Sequence, residues 1–126
     1  MSKMIYGVSH VDREELYEIL HDDERRALVI DVREVDEYTA GHIPGIPLIP
    51  MGEIAAYLQD FDKEREYVFV CRSGGRSYEV ARFFQSQGFP KVHNYEGGML
   101  NWDKEVVTGP ENVIEQFDAD RLERQS

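Results

Sequence analysis

The only cysteine of the chain, Cys71, lies in the segment with the strongest chemical signal. It follows the apolar run 67–70 and opens the sequence Cys71-Arg72-Ser73-Gly74-Gly75-Arg76-Ser77. An apolar run, a glycine-containing turn and a helical pattern together predict a loop at the carboxyl end of a parallel strand, where open α/β sheets bind ligands. Glycines let such a loop turn tightly and point amide groups inward, and the helix N-terminus adds partial positive charge. We therefore predict an anion cradle with the Cys71 sulfur at its rim.

Such a setting stabilises a thiolate over a thiol, because helix N-termini and nearby cations lower a cysteine pKa to about 3.5–7.5. It also suits a bound terminal sulfur, which is itself anionic when ionised. Glu79 is the only acid between residues 72 and 91, against four bases: Arg72, Arg76, Arg82 and Lys91. This local basic patch favours a small anionic substrate. A buried structural cysteine is the alternative, but it would not need two glycines and two arginines directly after it.

Short apolar runs alternate with helical patterns along the chain, which is typical of an α/β protein. The runs predict strands over 4–8, 27–30, 67–70 and 91–95, with a short extended piece over 47–50. Helices are predicted after a capping box at Asp12 and Glu15, over 34–40 and 52–58, and from the Cys71 loop to about residue 87. We interpret four aromatic residues as core rather than as a binding platform: Phe83, Phe84, Phe89 and Trp102.

The bulk numbers restrict the classes of function. With 126 residues and 41% apolar residues, the chain suits one folded domain. A formal net charge of -11 argues against nucleic acids and anionic membranes as partners. We see no secretory signal and no apolar run near the roughly 20 residues that span a bilayer. A single cysteine fits a reducing compartment, so we expect a cytoplasmic protein.

Two further expectations concern metals and the C-terminus. The histidines at positions 10, 21 and 93 share no ligand spacing with each other or with Cys71, so we expect no metal site. Residues 111–126 form an acidic extension, predicted to be partly helical or frayed. Within it, Val113, Ile114 and Phe117 would dock one helical face, and the last residues would fray.

The Cys71 segment resembles the active-site loop of rhodanese domains. Two more segments agree with that family and occur in its order: Asp31-Val32-Arg33-Glu34-Val35-Asp36-Glu37-Tyr38-Thr39-Ala40-Gly41-His42-Ile43-Pro44-Gly45 and Glu96-Gly97-Gly98-Met99-Leu100-Asn101-Trp102. The resemblance implies a rhodanese-like α/β fold over residues 1–110, with a five-stranded, mainly parallel sheet and helices on both faces.

The resemblance also implies a sulfurtransferase of the thiosulfate type. Cys71 would take sulfur from a small anionic donor such as thiosulfate or a persulfide, and would pass it to a thiol, cyanide or protein acceptor. The main chain of residues 72–76 would cradle the bound sulfur, and Ser77 would add a hydroxyl. The substrate-binding residues are therefore Arg72, Ser73, Gly74, Gly75, Arg76 and Ser77. No metal or organic cofactor is implied.

Asp31, Arg33 and His42 are interpreted as structural. Arg33 is expected to pair with Glu37, four residues on, and Asp31 to fix the adjacent loop through hydrogen bonds. Both would then be scaffold near the site. His42, between a glycine and Ile43-Pro44, is expected to be a turn residue.

Three alternatives remain open. Dual-specificity phosphatases and arsenate reductases share the fold family, but their loop has five residues between cysteine and arginine, whereas four separate Cys71 from Arg76. A non-catalytic docking module would tend to lose the cysteine or the glycines. A persulfide carrier in a larger pathway would share the chemistry and differ in its partner.

Overall fold

The computed structural model describes residues 3–116 and 118–123. Its strands are β1 (Lys3–Ile5), β2 (Val8–Val11), β3 (Leu28–Asp31), β4 (Tyr67–Val70) and β5 (Val92–Tyr95). Its α-helices are α1 (Arg13–Leu20), α2 (Val35–Ala40), α3 (Met51–Ile54) and α4 (Gly75–Ser86). Three 3₁₀-helices span Ala55–Asp60, Met99–Asn101 and Ala119–Leu122.

The five strands form one sheet in the order β1-β2-β5-β4-β3. All neighbouring pairs are parallel except β1 with β2, which are antiparallel. Because β4 lies in the interior of the sheet, the loop that follows it has a neighbouring strand on each side. The predicted α/β fold with a five-stranded, mainly parallel sheet is confirmed.

Helices cover both faces of the sheet, so alternate residues of β4 enter two separate cores. Phe69 packs in the core that contains Phe84 of α4, whereas Val68 packs in the core that contains Leu16 of α1. Every residue of β3 and β4 is buried. This explains why β4, and β3 as far as the residue before Asp31, are continuous apolar runs.

The predicted first strand over 4–8 is wrong, because two strands occupy this region. Tyr6 and Gly7, with φ of 52° and 79°, make a tight turn between β1 and β2. Two consecutive residues with positive φ are what a two-residue hairpin connection requires. The tyrosine, which favours strands, hid the turn from the pattern.

Two helical predictions also need correction. The segment predicted as one helix over 52–58 is the single turn α3 followed by the 3₁₀-helix Ala55–Asp60. Phe83 was predicted to be core, but it is exposed on α4. The buried positions of α4 include Val80, Ala81 and Phe84, and Phe83 lies about 100° away from Phe84 around the helix axis.

The C-terminal segment packs against the domain. Val113 forms a parallel bridge with Leu48, and neither Val113 nor Ile114 is helical, contrary to the predicted helical face. Ile114 and Leu122 are buried in the same core as Phe69. Phe117 and the last residues, for which docking and fraying were predicted, lie outside the described residues. The division at residue 110 stays a prediction.

Candidate active site

The Cys71 loop connects the buried strand β4 to helix α4 at the carboxyl end of the parallel strands. β4 ends at Val70, and α4 begins at Gly75. Gly74 is the residue before the helix and has a left-handed φ of 95°. The turn therefore reverses the chain so that amide groups next to the helix N-terminus face the cysteine side chain.

Hydrogen-bond donors from the loop and from α4 lie within reach of the Cys71 sulfur. The Gly74 amide donates to Sγ at 3.1 Å, and the Ser77 hydroxyl lies 3.3 Å from Sγ. Cys71 is only 1% exposed. The sulfur is thus enclosed by the loop. The sequence had led us to expect it at the rim of the loop.

The hydrogen bonds outweigh burial in setting the pKa of Cys71. Burial raises this pKa, while the Ser77 hydroxyl and the backbone groups of Ser77, Gly74 and Ser73 lower it. The net pKa lies below the ordinary value of a thiol. The loop therefore favours the thiolate, which is the nucleophilic form of cysteine.

The two glycines of the loop have different roles. A methyl group on Gly74 would lie 2.2 Å from the Glu96 carbonyl oxygen, in a backbone conformation that side chains rarely adopt. Gly75 is the first helical residue, has no positive φ, and has open space around the position of a methyl group. The sequence suggested that both glycines shape the turn, but only Gly74 is required by its geometry.

The third family-like segment braces the loop from its other side. The amides of Met99 and Leu100 donate to the carbonyl oxygens of Cys71 and Arg72, at 2.9 and 3.0 Å. Gly98 makes this approach possible, because a methyl group there would lie 2.3 Å from the Arg72 carbonyl oxygen. The segment 96–101 therefore acts by backbone contact.

The Arg76 guanidinium is committed to a partner outside the loop. It makes two hydrogen bonds to the Glu37 carboxylate of α2, at 2.7 and 2.8 Å. The Arg76 hydrogen bond lowers the pKa of Glu37 to about 2. Sequence reasoning missed this role, because the expected partner of Glu37 was Arg33.

Arg33 instead pairs with Asp31, which corrects the predicted Arg33–Glu37 pair. Its guanidinium reaches the Asp31 carboxylate at 2.8 Å and the Gly41 carbonyl oxygen at 2.8 Å. The Arg33 amide also donates to Asp31 Oδ1 at 3.0 Å, so Asp31 does fix its loop by hydrogen bonds. Burial raises the pKa of Asp31, and the contacts with Arg33 counteract that effect.

The basic patch inferred from the sequence is divided in the structure. Lys91 precedes β5 and bonds to the Glu64 carbonyl oxygen, at the opposite end of the parallel strands from Cys71. Arg72 is exposed in the loop, and its guanidinium has no ion pair or hydrogen bond within residues 3–116 and 118–123. Because Arg76 is neutralised by Glu37, Arg72 is the loop cation left for a substrate.

Asn94 is a site residue that the sequence analysis missed. It lies on β5 and is 2% exposed. Its side-chain oxygen accepts from the Ser77 hydroxyl, and its nitrogen donates to the Gly74 carbonyl oxygen. A signal was present, because an amide in a buried strand needs internal partners.

His42 is not a simple turn residue. Its ring is fully buried and stacks on Tyr38 at 3.7 Å between ring centroids. Its nitrogens contact the Tyr38 carbonyl oxygen and the Glu111 carboxylate, both at 2.9 Å. It therefore joins the chain after α2 to the C-terminal segment.

Within the described parts of the chain, no group of three or more histidine, cysteine or acidic side chains is arranged to hold a metal ion. Over the same residues, every helix falls short of the length and apolar character that crossing a bilayer requires.

Several known proteins with similar sequences are named sulfurtransferases. The putative sulfurtransferase YtwF of Bacillus subtilis is 43% identical over 105 residues, which cover 83% of this chain and 98% of that protein. The thiosulfate sulfurtransferase GlpE of Pseudoalteromonas translucida is 29% identical over 94 residues, which cover 75% of this chain and 88% of that protein.

Solved structures agree with these relatives. A rhodanese-like domain protein from Staphylococcus aureus superposes with a TM-score of 0.71 at 33% identity, covering 79% of this chain and 96% of that one. The human single-domain sulfurtransferase TSTD1 gives a TM-score of 0.68 at 32% identity, covering 76% and 96%. The model of the rhodanese-like domain matches residues 12–105. The chain therefore belongs to the rhodanese-like family.

Proposed function

We propose that this protein is a sulfurtransferase that carries sulfane sulfur as a persulfide on Cys71. The observation that supports it most is the sulfur environment: a lone thiol at a parallel strand end, held by the Gly74 amide at 3.1 Å and the Ser77 hydroxyl at 3.3 Å. The names of the relatives support sulfur transfer in general. The donor, the intermediate and the residue roles are our inference.

In the first half-reaction, the Cys71 thiolate attacks the outer sulfur of thiosulfate. A bond forms between Sγ and that sulfur, the sulfur–sulfur bond of thiosulfate breaks, and sulfite leaves with the electron pair. The enzyme then holds an anionic persulfide, and total charge is conserved. The lowered pKa of Cys71 supports this step, because it increases the fraction of Cys71 that is the nucleophilic thiolate.

In the second half-reaction, cyanide or a thiolate attacks the outer sulfur of the persulfide. The bond between the two sulfurs breaks, the product leaves as thiocyanate or as a new persulfide, and the Cys71 thiolate is regenerated. Cys71 is the only cysteine, so no second thiol of this chain can accept the sulfur. The acceptor must come from outside the chain.

Arg72 is the residue we propose for attracting the anionic donor. It is exposed beside the cysteine, whereas Arg76 is held by Glu37. An exposed cation in a chain of net charge -11 offsets the repulsion that a doubly charged anion would otherwise meet. The main-chain amides of residues 72–76 are proposed to surround the transferred sulfur.

The geometry disfavours phosphate chemistry. Only four residues separate Cys71 from Arg76, and the Arg76 guanidinium points to Glu37 instead of into the loop. A forked guanidinium is a favoured partner of phosphoryl oxygens, and this arginine is already paired. A non-catalytic docking module is disfavoured by the retained hydrogen bonds to the cysteine sulfur.

The test combines intact mass with turnover. After incubation with thiosulfate, the protein is expected to gain the mass of one sulfur atom and to form thiocyanate when cyanide is added. Cys71→Ser should lose both, with turnover reduced on the order of 10⁴-fold or more.

Arg72→Gln should raise KM for thiosulfate on the order of tenfold with little effect on kcat. Arg82→Gln, an exposed arginine on α4, is the control with the same charge change.

Absence of the mass gain in the folded protein would overturn the persulfide proposal. Hydrolysis of an aryl phosphate that depends on Cys71 would favour the phosphatase. Equal effects of Arg72→Gln and Arg82→Gln on KM would refute a specific role of Arg72 and would leave only the general charge of the surface.

A further inference from the structure

The Ser77 hydroxyl has one proton and two acceptors within reach. Its oxygen lies 3.3 Å from the Cys71 sulfur and at a shorter distance from the Asn94 side-chain oxygen. A hydroxyl donates a single hydrogen bond, so it cannot serve both acceptors at once. All three residues are at least 98% buried, so bulk solvent does not reach them.

The orientation of the Asn94 amide is fixed by its other neighbour. The Gly74 carbonyl oxygen, 3.1 Å from Asn94 Nδ2, only accepts hydrogen bonds and therefore requires the amide nitrogen on its side. The oxygen of Asn94 must then face Ser77. His10 Nδ1 lies 3.2 Å from the same nitrogen.

We propose that Asn94 is a positioning residue that determines whether Ser77 donates its proton to Asn94 or to the Cys71 sulfur. This inference deepens the proposed function, because it assigns a control over the nucleophile of that reaction. Asn94 touches neither the substrate nor Sγ, and it acts through Ser77.

The proton position follows the charge on Sγ through the reaction. When Sγ carries a proton, the thiol donates to the Ser77 oxygen and the hydroxyl donates to Asn94, so every donor is used. When Sγ is a thiolate, the hydroxyl turns to the sulfur and the Asn94 oxygen loses its donor. When Sγ is bonded to a transferred sulfur, the charge moves outward and the proton returns to Asn94. Asn94 thus stabilises the states in which Sγ is uncharged and limits how far the thiolate is favoured.

Several charged or titratable groups surround this arrangement. The loop contributes Arg72, α4 contributes Arg76 with its partner Glu37, and β2 contributes His10 beyond Asn94. Glu96 follows β5, and its side chain pairs with Lys3. None of these groups contacts the Ser77 hydroxyl, so substitutions at positions 77 and 94 test the competition directly.

The test is a double-mutant cycle read on the thiolate. Because Cys71 is the only cysteine, the ultraviolet absorbance of its thiolate is followed against pH, with Cys71→Ser as the baseline that removes the signal of the seven tyrosines. The variants are Ser77→Ala, Asn94→Val and the double variant. Valine fills the space and suits a strand, and Asn94→Ala serves as a second variant if valine disturbs folding.

Asn94→Val is expected to raise the ratio of thiolate to thiol near neutral pH on the order of tenfold, because Ser77 then donates to sulfur without competition. Ser77→Ala should lower that ratio by a similar factor. In the Ser77→Ala background, Asn94→Val should have no further effect. This last result separates the proposal from a structural role, because a residue that only braced Gly74 would affect the thiol in both backgrounds.

A fall in the thiolate ratio on Asn94→Val, or an equal effect with and without Ser77, would overturn the proposal. An unchanged ratio of thiolate to thiol in Ser77→Ala would also overturn the proposal, and this measurement requires no Asn94 variant. The titration uses no sulfur donor. Failure of the persulfide assay with the expected titration would therefore count against the proposed function alone, and the reverse pattern against Asn94 alone.

Discussion

The ends of β3 and β4 are neighbours in the sheet, and they use similar backbone geometry for different purposes. Asp31 at the end of β3 and Cys71 just after β4 each accept an amide hydrogen bond from their own loop. α2 and α4 begin the same distance along the chain after these two residues. At β3, the guanidinium of Arg33 in the same loop donates hydrogen bonds to the Asp31 carboxylate. At β4, the loop carries glycines instead, and no side chain of the loop neutralises the sulfur.

The difference indicates what would distinguish a supporting strand end from the reactive one that we propose at Cys71. The carboxylate of Asp31 is satisfied by Arg33 within its own loop, so its charge is used to hold the chain. The sulfur of Cys71 is surrounded by donors that stabilise a negative charge without cancelling it. Because a nucleophile must keep its charge available, a fully paired site at β4 would be stable and unreactive.

The largest expected effect on stability comes from breaking the paired strand end. Asp31→Ala leaves the buried Arg33 guanidinium without its carboxylate, and we expect a loss of about 3–5 kcal/mol in the free energy of unfolding. Urea unfolding measures this. Asp36→Ala, which removes an exposed carboxylate from α2, should cost less than about 1 kcal/mol. Cys71→Ser should likewise change stability little while abolishing turnover, and equal losses in Asp31→Ala and Cys71→Ser would contradict the contrast between the two ends.

The next effect concerns the glycines that replace side chains at the β4 end. Gly74→Ala forces a methyl group against the Glu96 carbonyl oxygen at a positive φ, so we expect a loss of about 2–4 kcal/mol and of the amide contact to sulfur. Gly75→Ala is the matched control. It should leave stability unchanged or raise it by up to about 1 kcal/mol, since alanine favours the helix. Thermal melting compares the two, and a stable Gly74→Ala would show that the loop can relax.

The smallest effect concerns the ion pair that links the two strand ends, Glu37 with Arg76. The pKa of Glu37 is lowered to about 2 from the ordinary value of 4.5. The Glu37–Arg76 pair therefore stabilises the fold above about pH 4.5 and loses that contribution as the pH falls towards 2. Glu37→Gln, which keeps an acceptor for the α2 cap, should cost about 1 kcal/mol near pH 7.

The cost of the same variant should fall as the pH is lowered towards 2, because about half of Glu37 is protonated near pH 2 in the folded parent protein. Urea unfolding at both pH values checks the prediction. Asp36→Asn, on the same helix, is the control for the loss of one negative charge. A cost of Glu37→Gln that did not shrink with acidification would show that the carboxylate stabilises the fold through packing alone.

Much of the fold was predictable from local pattern. The run at 67–70 matched β4 in full, and the capping box at Asp12 and Glu15 is present at the start of α1. Both depend on interactions between residues close in sequence. The hairpin at Tyr6 and Gly7 was missed, because its turn depends on backbone angles that a tyrosine seldom adopts.

The local structure of the candidate site was predictable in its centre and not at its edges. The glycine loop after a buried strand pointed to Cys71, and the resemblance of three ordered segments gave the family. The pairing of Glu37 with Arg76 and the contact of Asn94 with Ser77 were not predicted. These partners are 39 and 17 residues apart in sequence. The spacing of four residues favoured Arg33 as the ion-pair partner of Glu37, and no nearby residue in the sequence argued against that pair.

The sequence by itself determined the buried strands β3, β4 and β5, the family and the thiol at the centre of the candidate site, because these follow from short-range periodicity and from residue types that have few alternative uses. The tertiary structure decided which charges are cancelled and which remain. Pairing depends on distances between residues that only folding brings together, and an arginine can neutralise only the carboxylate that lies within reach. Among residues 3–116 and 118–123, the loop cation that keeps no ionic partner is Arg72, and this is therefore a property of the fold.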